Sequence, residues 1–106
     1  MVTADTHGTA AAACAGLPVK VLTYPTVDVG AIKKQVAENL GKGVACMGNG
    51  FNDILMAEVC DLFVCILGKE GCCGALVGKA DVVVTSITDG LDLLLKPDRL
   101  RATLRT

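Results

Sequence analysis

Five short apolar segments alternate with segments of helical pattern along this chain, and the alternation limits the folds that it can adopt. The apolar segments cover residues 1–4, 19–23, 44–47, 62–67 and 81–85. Most of them are nearly continuous in apolar character, as strands covered on both faces are. Strict alternation with short links favours a parallel sheet. We therefore predict an α/β fold over residues 1–106, with a single Rossmann-like parallel sheet and helices on both faces.

The helical segments follow from the spacing of apolar residues and from end signals. Ile32, Val36 and Leu40 recur every four residues and predict one apolar helix stripe that ends at Gly41. Further helices are predicted over residues 8–15, 54–60, 71–78 and 91–95, and from Pro97 onwards.

Composition and charge exclude several classes of protein. Aromatic residues make up only 3% of the chain, so Val, Leu, Ile, Ala and Cys must form the core. No apolar run approaches the roughly 18 residues that a membrane-spanning helix needs. The first residues lack the basic and apolar regions of a signal peptide. The net charge of −1 offers no electrostatic attraction for nucleic acid. We expect neither a membrane nor a nucleic-acid partner.

The cysteines predict buried or half-buried thiols in a reducing compartment, and hence a cytoplasmic protein. A disulfide framework is disfavoured because the chain is long enough to build a core without one. A zinc site lacks the paired C-x-x-C spacing and a nearby histidine. The six residues are Cys14, Cys46, Cys60, Cys65, Cys72 and Cys73.

The glycine-rich turn Gly48–Asp53 carries the strongest functional signal. It follows an apolar strand and precedes a helix that begins at Ile54. Ligands of open α/β sheets bind beyond the carboxyl ends of the strands. Asn49 and Asp53 offer the oxygen ligands that a hard cation prefers, and the glycines let the backbone turn tightly. The turn therefore predicts a Mg²⁺ and phosphate site.

Two other junctions between strands and helices add suitable groups. Thr3 follows the first predicted strand, and Lys33 lies near the start of the second helix. Phosphoryl transfer depends mainly on positioning and on neutralising charge. A hydroxyl group can hold phosphoryl oxygens, and a lysine can offset their charge. We therefore predict that Thr3 and Lys33 act with the turn on a small phosphorylated ligand.

In order and spacing, these motifs resemble the haloacid-dehalogenase (HAD) superfamily of phosphohydrolases, and most closely its soluble P-type-ATPase-like branch. Residues 3–9, Thr-Ala-Asp-Thr-His-Gly-Thr, resemble the second motif, which implies that Thr3 holds the phosphoryl group. Lys33 matches the lysine of the third motif, with Lys34 as a weaker candidate. Gly48–Asp53 resembles the fourth, metal-binding motif. The resemblance runs from about residue 2 to residue 105.

The resemblance implies roles for the residues of the turn. Asn49 and Asp53 are expected to bind Mg²⁺, and Gly48, Gly50 and Asn52 to bind the phosphate group. Most of the superfamily has Asp where Asn49 stands, although the soluble branch commonly shows Asn. An uncharged ligand at this position lowers the expected affinity for the cation.

The family's nucleophile is an Asp in an Asp-x-x-Gly-Thr motif on a strand that precedes all of these motifs, in the middle of the sheet. The present chain matches the family from the second motif onwards, so we expect an HAD-like core that lacks its first strand. The complete form would hydrolyse a phosphate ester or anhydride through an aspartyl phosphate. The 106 residues alone are expected to turn over phosphate esters weakly or not at all, and to self-associate through the incomplete sheet.

Two alternatives remain open. Residues 5–9 themselves spell Asp-x-x-Gly-Thr, so Asp5 would be the nucleophile and Thr23 would supply the hydroxyl group. Two observations argue against this role for Asp5. The spacing from Asp5 to Lys33 fits the interval between the family's second and third motifs better, and Asp is also a preferred N-cap residue. The other alternative is a non-catalytic module that binds phosphate and metal or assembles with another chain.

Overall fold

The computed structural model describes residues 1–3, 10–24 and 28–104, without the side chain of Ala11. Strands and helices alternate along these residues, with a short 3-10 helix at Phe51–Asp53. The strands are β1 (Val2–Thr3), β2 (Leu22–Thr23), β3 (Ala45–Gly48), β4 (Leu62–Ile66) and β5 (Val82–Val84). The helices are α1 (Ala10–Ala13), α2 (Val29–Asn39), α3 (Ile54–Val59), α4 (Gly74–Val77), α5 (Ile87–Leu95) and α6 (Pro97–Leu104).

The strands confirm the α/β class but form two sheets where the alternation predicted one. β1 pairs with β2, and β3, β4 and β5 form a second sheet with β4 in the middle. Both sheets are parallel. Within the described residues, no strand lies along the second edge of β1 or of β3. A single continuous sheet would need a strand between these two edges.

The strand predicted over residues 19–23 is mostly irregular. Only Leu22 and Thr23 pair, with Val2 and Thr3 of β1, and the Val19 side chain is exposed. A strand extends only as far as a neighbour satisfies its backbone groups. Because β1 is two residues long, regular pairing is limited to two residues of the apolar run, and beyond them the Lys20 carbonyl accepts a hydrogen bond of 2.8 Å from the Met1 amino group.

The hydrophobic core surrounds β4. Phe63, Val64 and Cys65 have no exposed surface, and Leu76 of α4 is equally buried. β3 and β5 flank β4, so backbone groups on both of its edges are paired. The side chain of Asp81 has a local role, since it accepts a hydrogen bond of 2.8 Å from the Phe63 N–H and so helps to fix the start of the strand.

Helix ends and lengths follow from local signals. Ser86 caps α5, because its side-chain oxygen accepts a hydrogen bond of 3.1 Å from the Asp89 N–H. α2 ends before Gly41, which adopts a left-handed conformation with φ of 86°. None of the helices in the described ranges is both long enough and apolar enough to cross a membrane.

The two phenylalanines of the chain give a matched test of this core. Phe63→Ala should lower the free energy of unfolding by about 3–5 kcal/mol, because the substitution leaves a cavity in the core. Phe51→Ala removes a ring that is 76% exposed and should change the free energy of unfolding by less than about 0.5 kcal/mol. Urea unfolding followed by circular dichroism measures both values. Similar losses in the two variants would contradict the central place of β4.

Candidate functional site

The Asp53 carboxylate is buried at the turn that follows β3, and each of its oxygens is bound. The residue is only 4% exposed. Its Oδ1 accepts a hydrogen bond of 2.7 Å from the Lys33 ammonium, which forms an ion pair. Its Oδ2 accepts hydrogen bonds from the backbone N–H groups of Asn49, at 3.1 Å, and Gly50, at 3.0 Å. The carboxylate therefore closes the turn on itself and fastens it to α2.

Lys33 lies in the second turn of α2 and binds the turn at two points. Besides Asp53, its Nζ donates a hydrogen bond of 2.9 Å to Oδ1 of Asn52. The side chain is 13% exposed. A lysine ammonium has three N–H donors, so one donor remains for a ligand. The interaction also leaves the amide NH₂ of Asn52 available as a donor.

Glycines at two positions allow this close arrangement. A Cβ atom at Gly48 would collide with the Asp53 carboxylate, so a larger residue there would displace the acid. A Cβ atom at Gly30 would lie 3.4 Å from the backbone oxygen of Asn52, so Gly30 lets α2 approach the turn. Gly48 and Gly50 were expected to let the backbone turn tightly and come close to a charged group. Neither has a positive φ, so the space beside the carboxylate is the reason for Gly48.

The three residues predicted to bind phosphate, Gly48, Gly50 and Asn52, differ in whether their hydrogen-bond donors are already engaged. The N–H of Gly50 already binds Asp53, and Gly48 is the last residue of β3. Of the three predicted residues, Asn52 therefore has the free donors that best suit a phosphate oxygen. The carbonyl of Asn49 accepts a hydrogen bond of 2.7 Å from the N–H of Cys73, which ties the turn to the start of α4.

The Asp53 carboxylate is already engaged by Lys33, so the turn offers Mg²⁺ oxygen ligands that are only partly free. A cation at Asp53 would have to displace or neighbour the Lys33 ammonium, which already occupies Oδ1. The part of the chain that the structure describes contains no group of three or more His, Cys, Asp or Glu side chains that could hold a metal. The side-chain oxygen of Asn49 is the remaining donor in the turn. Metal ligation by Asn49 and Asp53 stays a prediction.

A cavity of about 230 Å³ opens between β1 and β3. Lys33 and Asp53 contribute its charged side chains, and the rest of the lining is apolar or cysteine. The other lining residues are Met1, Val2, Val36, Ala37, Leu40, Val44, Ala45, Cys46, Met47 and Met56. The cavity thus joins an apolar slot to the ion pair.

The structure brings Lys33, Asn52 and Asp53 together but does not place Thr3 in the cavity lining. Thr3 ends β1, directly after Val2, which does line the cavity. The carbonyl of Thr3 accepts a hydrogen bond of 3.1 Å from the N–H of Tyr24. Its predicted role on the phosphoryl group remains a prediction.

The alternative nucleophile cannot be placed. Asp5 and the other residues from 4 to 9 lie outside the described residues. Thr23, its proposed hydroxyl partner, is exposed and pairs with Thr3 across the two-stranded sheet.

Cys46 belongs to the cavity, although the sequence indicated only a core position. Cys46 lies two residues before Gly48, where the glycine-rich turn begins, and this position near the end of the strand was the available signal, because ligand-facing groups lie at strand ends. Burial, together with the nearby Cys60 thiol and Asp53 carboxylate, raises the pKa of the Cys46 thiol to about 12. Burial, together with Cys72, likewise raises the pKa of Cys65 to about 11. All six cysteines are free thiols.

Adjacent lysines allow the ion pair to be tested. Lys33→Met should lower the free energy of unfolding by about 3–5 kcal/mol, because the buried Asp53 carboxylate loses its cation. Lys34→Met changes the same side chain at a position outside the ion pair and should cost less than about 0.5 kcal/mol. Denaturant unfolding of both variants measures the difference. If both substitutions have the same small effect, the ion pair does not hold the turn.

Cys46 should make folding stability depend on alkaline pH. Its pKa is raised from 9.0 to about 12 in the folded chain, so the folded state retains the thiol proton more strongly. The contribution of Cys46 is intact below about pH 9 and is lost as the pH rises towards 12. Stability of the parent chain should therefore fall more steeply over this range than that of Cys46→Ala. Thermal unfolding at several pH values compares them, and parallel curves would contradict the burial of this thiol.

Comparisons with known proteins show that the chain is similar in sequence to an archaeal protein. No family model matches the chain, and no solved structure matches it. Over 68 residues it is 44% identical to a protein of Methanocaldococcus jannaschii named "Uncharacterized protein MJ0073". The aligned region covers 64% of this chain and 73% of that protein. At this identity and coverage, the chain belongs to the same family as the Methanocaldococcus jannaschii protein.

Proposed function

We propose that this chain forms the phosphate-binding part of an HAD-like, Mg²⁺-dependent phosphohydrolase that acts on small phosphorylated ligands in its complete form. The observation that carries the proposal is the Lys33 ammonium, which Asp53 and Asn52 hold in place while one of its N–H groups stays available. It belongs to the lining of the cavity beside the glycine turn. An anchored ammonium at the end of a parallel strand suits a phosphate oxygen.

The residues of this chain would bind and orient the phosphate group. Lys33 offsets its negative charge, and the Asn52 amide donates hydrogen bonds to it. The Thr3 hydroxyl is the third proposed contact, in keeping with its place at the end of β1. Mg²⁺, when bound, would supply further charge neutralisation, with Asn49 as the oxygen donor that the turn leaves free. The nucleophilic Asp would come from a strand outside the matched motifs.

A non-catalytic phosphate-binding or assembly module is the second candidate. Asp53 is the only carboxylate in the cavity lining of the described chain, and both of its oxygens are engaged. It is therefore poorly placed to attack a phosphorus atom or to activate water. This observation favours binding without turnover for the present residues.

Phosphate binding tests the proposal directly. Inorganic phosphate, titrated by NMR with and without Mg²⁺, should shift the amide resonances of the turn in the parent chain. Lys33→Gln should weaken phosphate binding by about 10–100-fold, because a charge-assisted hydrogen bond contributes about 1.5–3 kcal/mol. Lys34→Gln is the matched control and should bind phosphate as the parent does.

Asn52→Ala provides a second variant that keeps the Lys33–Asp53 ion pair. It should fold as the parent does and bind phosphate more weakly. Equal phosphate binding by the parent, Lys33→Gln and Asn52→Ala would overturn the proposal. Hydrolysis of p-nitrophenyl phosphate should be weak or absent, and robust Mg²⁺-dependent turnover would show that the chain already contains its nucleophile.

A further inference from the structure

A second depression, of about 360 Å³, lies between the starts of α2 and α3 and shares no lining residue with the cavity between β1 and β3. Small-molecule sites are typically concave and mainly apolar, with a few polar groups that fix the orientation of the ligand. This depression has such a composition, because its side chains are those of Ala31, Phe51, Ile54, Leu55, Asp28 and Asn52.

The buried Asp53 carboxylate turns Phe51 and Asn52 towards the surface. The three residues form the 3-10 helix, in which successive side chains point about 120° apart. Asp53 faces the interior, where its carboxylate binds Lys33 and the turn. The other two residues of the helix are therefore exposed, and Phe51 is 76% exposed.

The exposure of Phe51 leaves an aromatic face for a ligand. The chain contains two phenylalanines, and the other, Phe63, has no exposed surface. Phe51 instead lines the depression together with Leu55, which is 40% exposed. Apolar side chains that share a depression offer surface that a ligand can bury, and a phenyl ring stacks favourably on another aromatic ring.

Asn52 connects this depression to the proposed phosphate site. Its Oδ1 accepts the hydrogen bond of 2.9 Å from the Lys33 ammonium, and the same residue lines the depression. Gly30 keeps the start of α2 close to Asn52, since a Cβ atom at Gly30 would lie 3.4 Å from the Asn52 backbone oxygen. A ligand whose phosphate group is bound by Lys33 and Asn52 would therefore have its remaining part beside Phe51.

Asp28 gives the depression a negative charge. It is the N-cap residue of α2, but its side chain makes no capping hydrogen bond to the helix. An exposed carboxylate accepts hydrogen bonds from N–H or O–H groups of a ligand and repels a second anionic group. The part of the ligand beside Phe51 is therefore expected to be uncharged or cationic.

We propose that the depression binds an aromatic ring of the ligand whose phosphate group contacts Lys33 and Asn52, so that the substrate class is phosphate monoesters with an uncharged or cationic aromatic ring. This inference deepens the proposed function and rests on it for the phosphate contact. Phe51 stacks on the ring, and Asp28 selects against rings that carry a further negative charge. Both residues determine specificity and take no part in the chemical step.

Two phosphate esters that differ in the ring test the proposal on the 106-residue chain. NMR titration measures the affinity for methyl phosphate and for phenyl phosphate. The parent should bind phenyl phosphate about tenfold more tightly, because the ring buries apolar surface against Phe51. Phe51→Ala should abolish this preference. Leu95→Ala is the matched control and should keep it, because Leu95 is also 76% exposed but lies on α5, outside the depression.

The charge of Asp28 has its own probe. The ester 4-carboxyphenyl phosphate should bind the parent about fivefold more weakly than phenyl phosphate, because its carboxylate lies near Asp28. Asp28→Asn should remove this difference. Equal affinities of the parent for the two aromatic esters would overturn the assignment of the ring to this depression.

The position of the ring is measured directly by intermolecular NOEs, which are expected between the phenyl protons and the side chains of Phe51 and Leu55. Equal binding of methyl and phenyl phosphate, or an unchanged preference in Phe51→Ala, would overturn the inference. The proposed function would still stand if both esters bound through Lys33. If neither ester nor inorganic phosphate binds, the proposed function fails and the inference fails with it. Shifts of the Phe51 and Leu55 resonances that grow with protein concentration in the absence of ligand would overturn the inference in favour of a second copy of the chain.

Discussion

The arrangement at the carboxyl end of β3 depends on one buried ion pair. A carboxylate that is 4% exposed would strongly oppose folding without partners, because burial removes its hydration. Asp53 has three: the Lys33 ammonium and the N–H groups of Asn49 and Gly50. These contacts join α2, β3 and the 3-10 helix that leads into α3. Removing one partner would leave a buried charge incompletely compensated, so a single substitution among these residues would destabilise the fold.

The two sheets differ in how fully their strands are paired and buried. β4 has a neighbour on each edge and three residues without exposed surface, whereas β1 and β2 are two residues long and have no fully buried side chain. Two-stranded sheets are marginal unless another element covers them. The stable part of the fold is therefore the three-stranded sheet with its helices, and the smaller sheet forms one wall of the cavity.

The local sequence pattern correctly predicted the strands and helices that are well paired or well packed in the structure. The strands over 44–47, 62–67 and 81–85 and the helix stripe of Ile32, Val36 and Leu40 appear close to their expected places. The apolar run over 19–23 did not become a full strand, because strand length depends on a neighbour that periodicity cannot reveal. In the site, the sequence selected Lys33, Asn52 and Asp53, which are in contact. It missed Cys46 in the cavity, and it could not show that Asp53 binds a lysine, since only packing decides which charge reaches a buried carboxylate.

The same ion pair connects stability with ligand binding. A free lysine side chain carries about 2 kcal/mol of rotamer entropy, which a ligand would ordinarily have to overcome when it fixes the ammonium. In this chain Asp53 and Asn52 fix Lys33 during folding, so the cost is met before a ligand arrives. The remaining N–H is then preorganised for an anionic oxygen, and preorganisation strengthens binding without added contacts. Asp53 is thus best understood as the residue that positions Lys33, and the burial that makes it a poor nucleophile makes it an effective anchor.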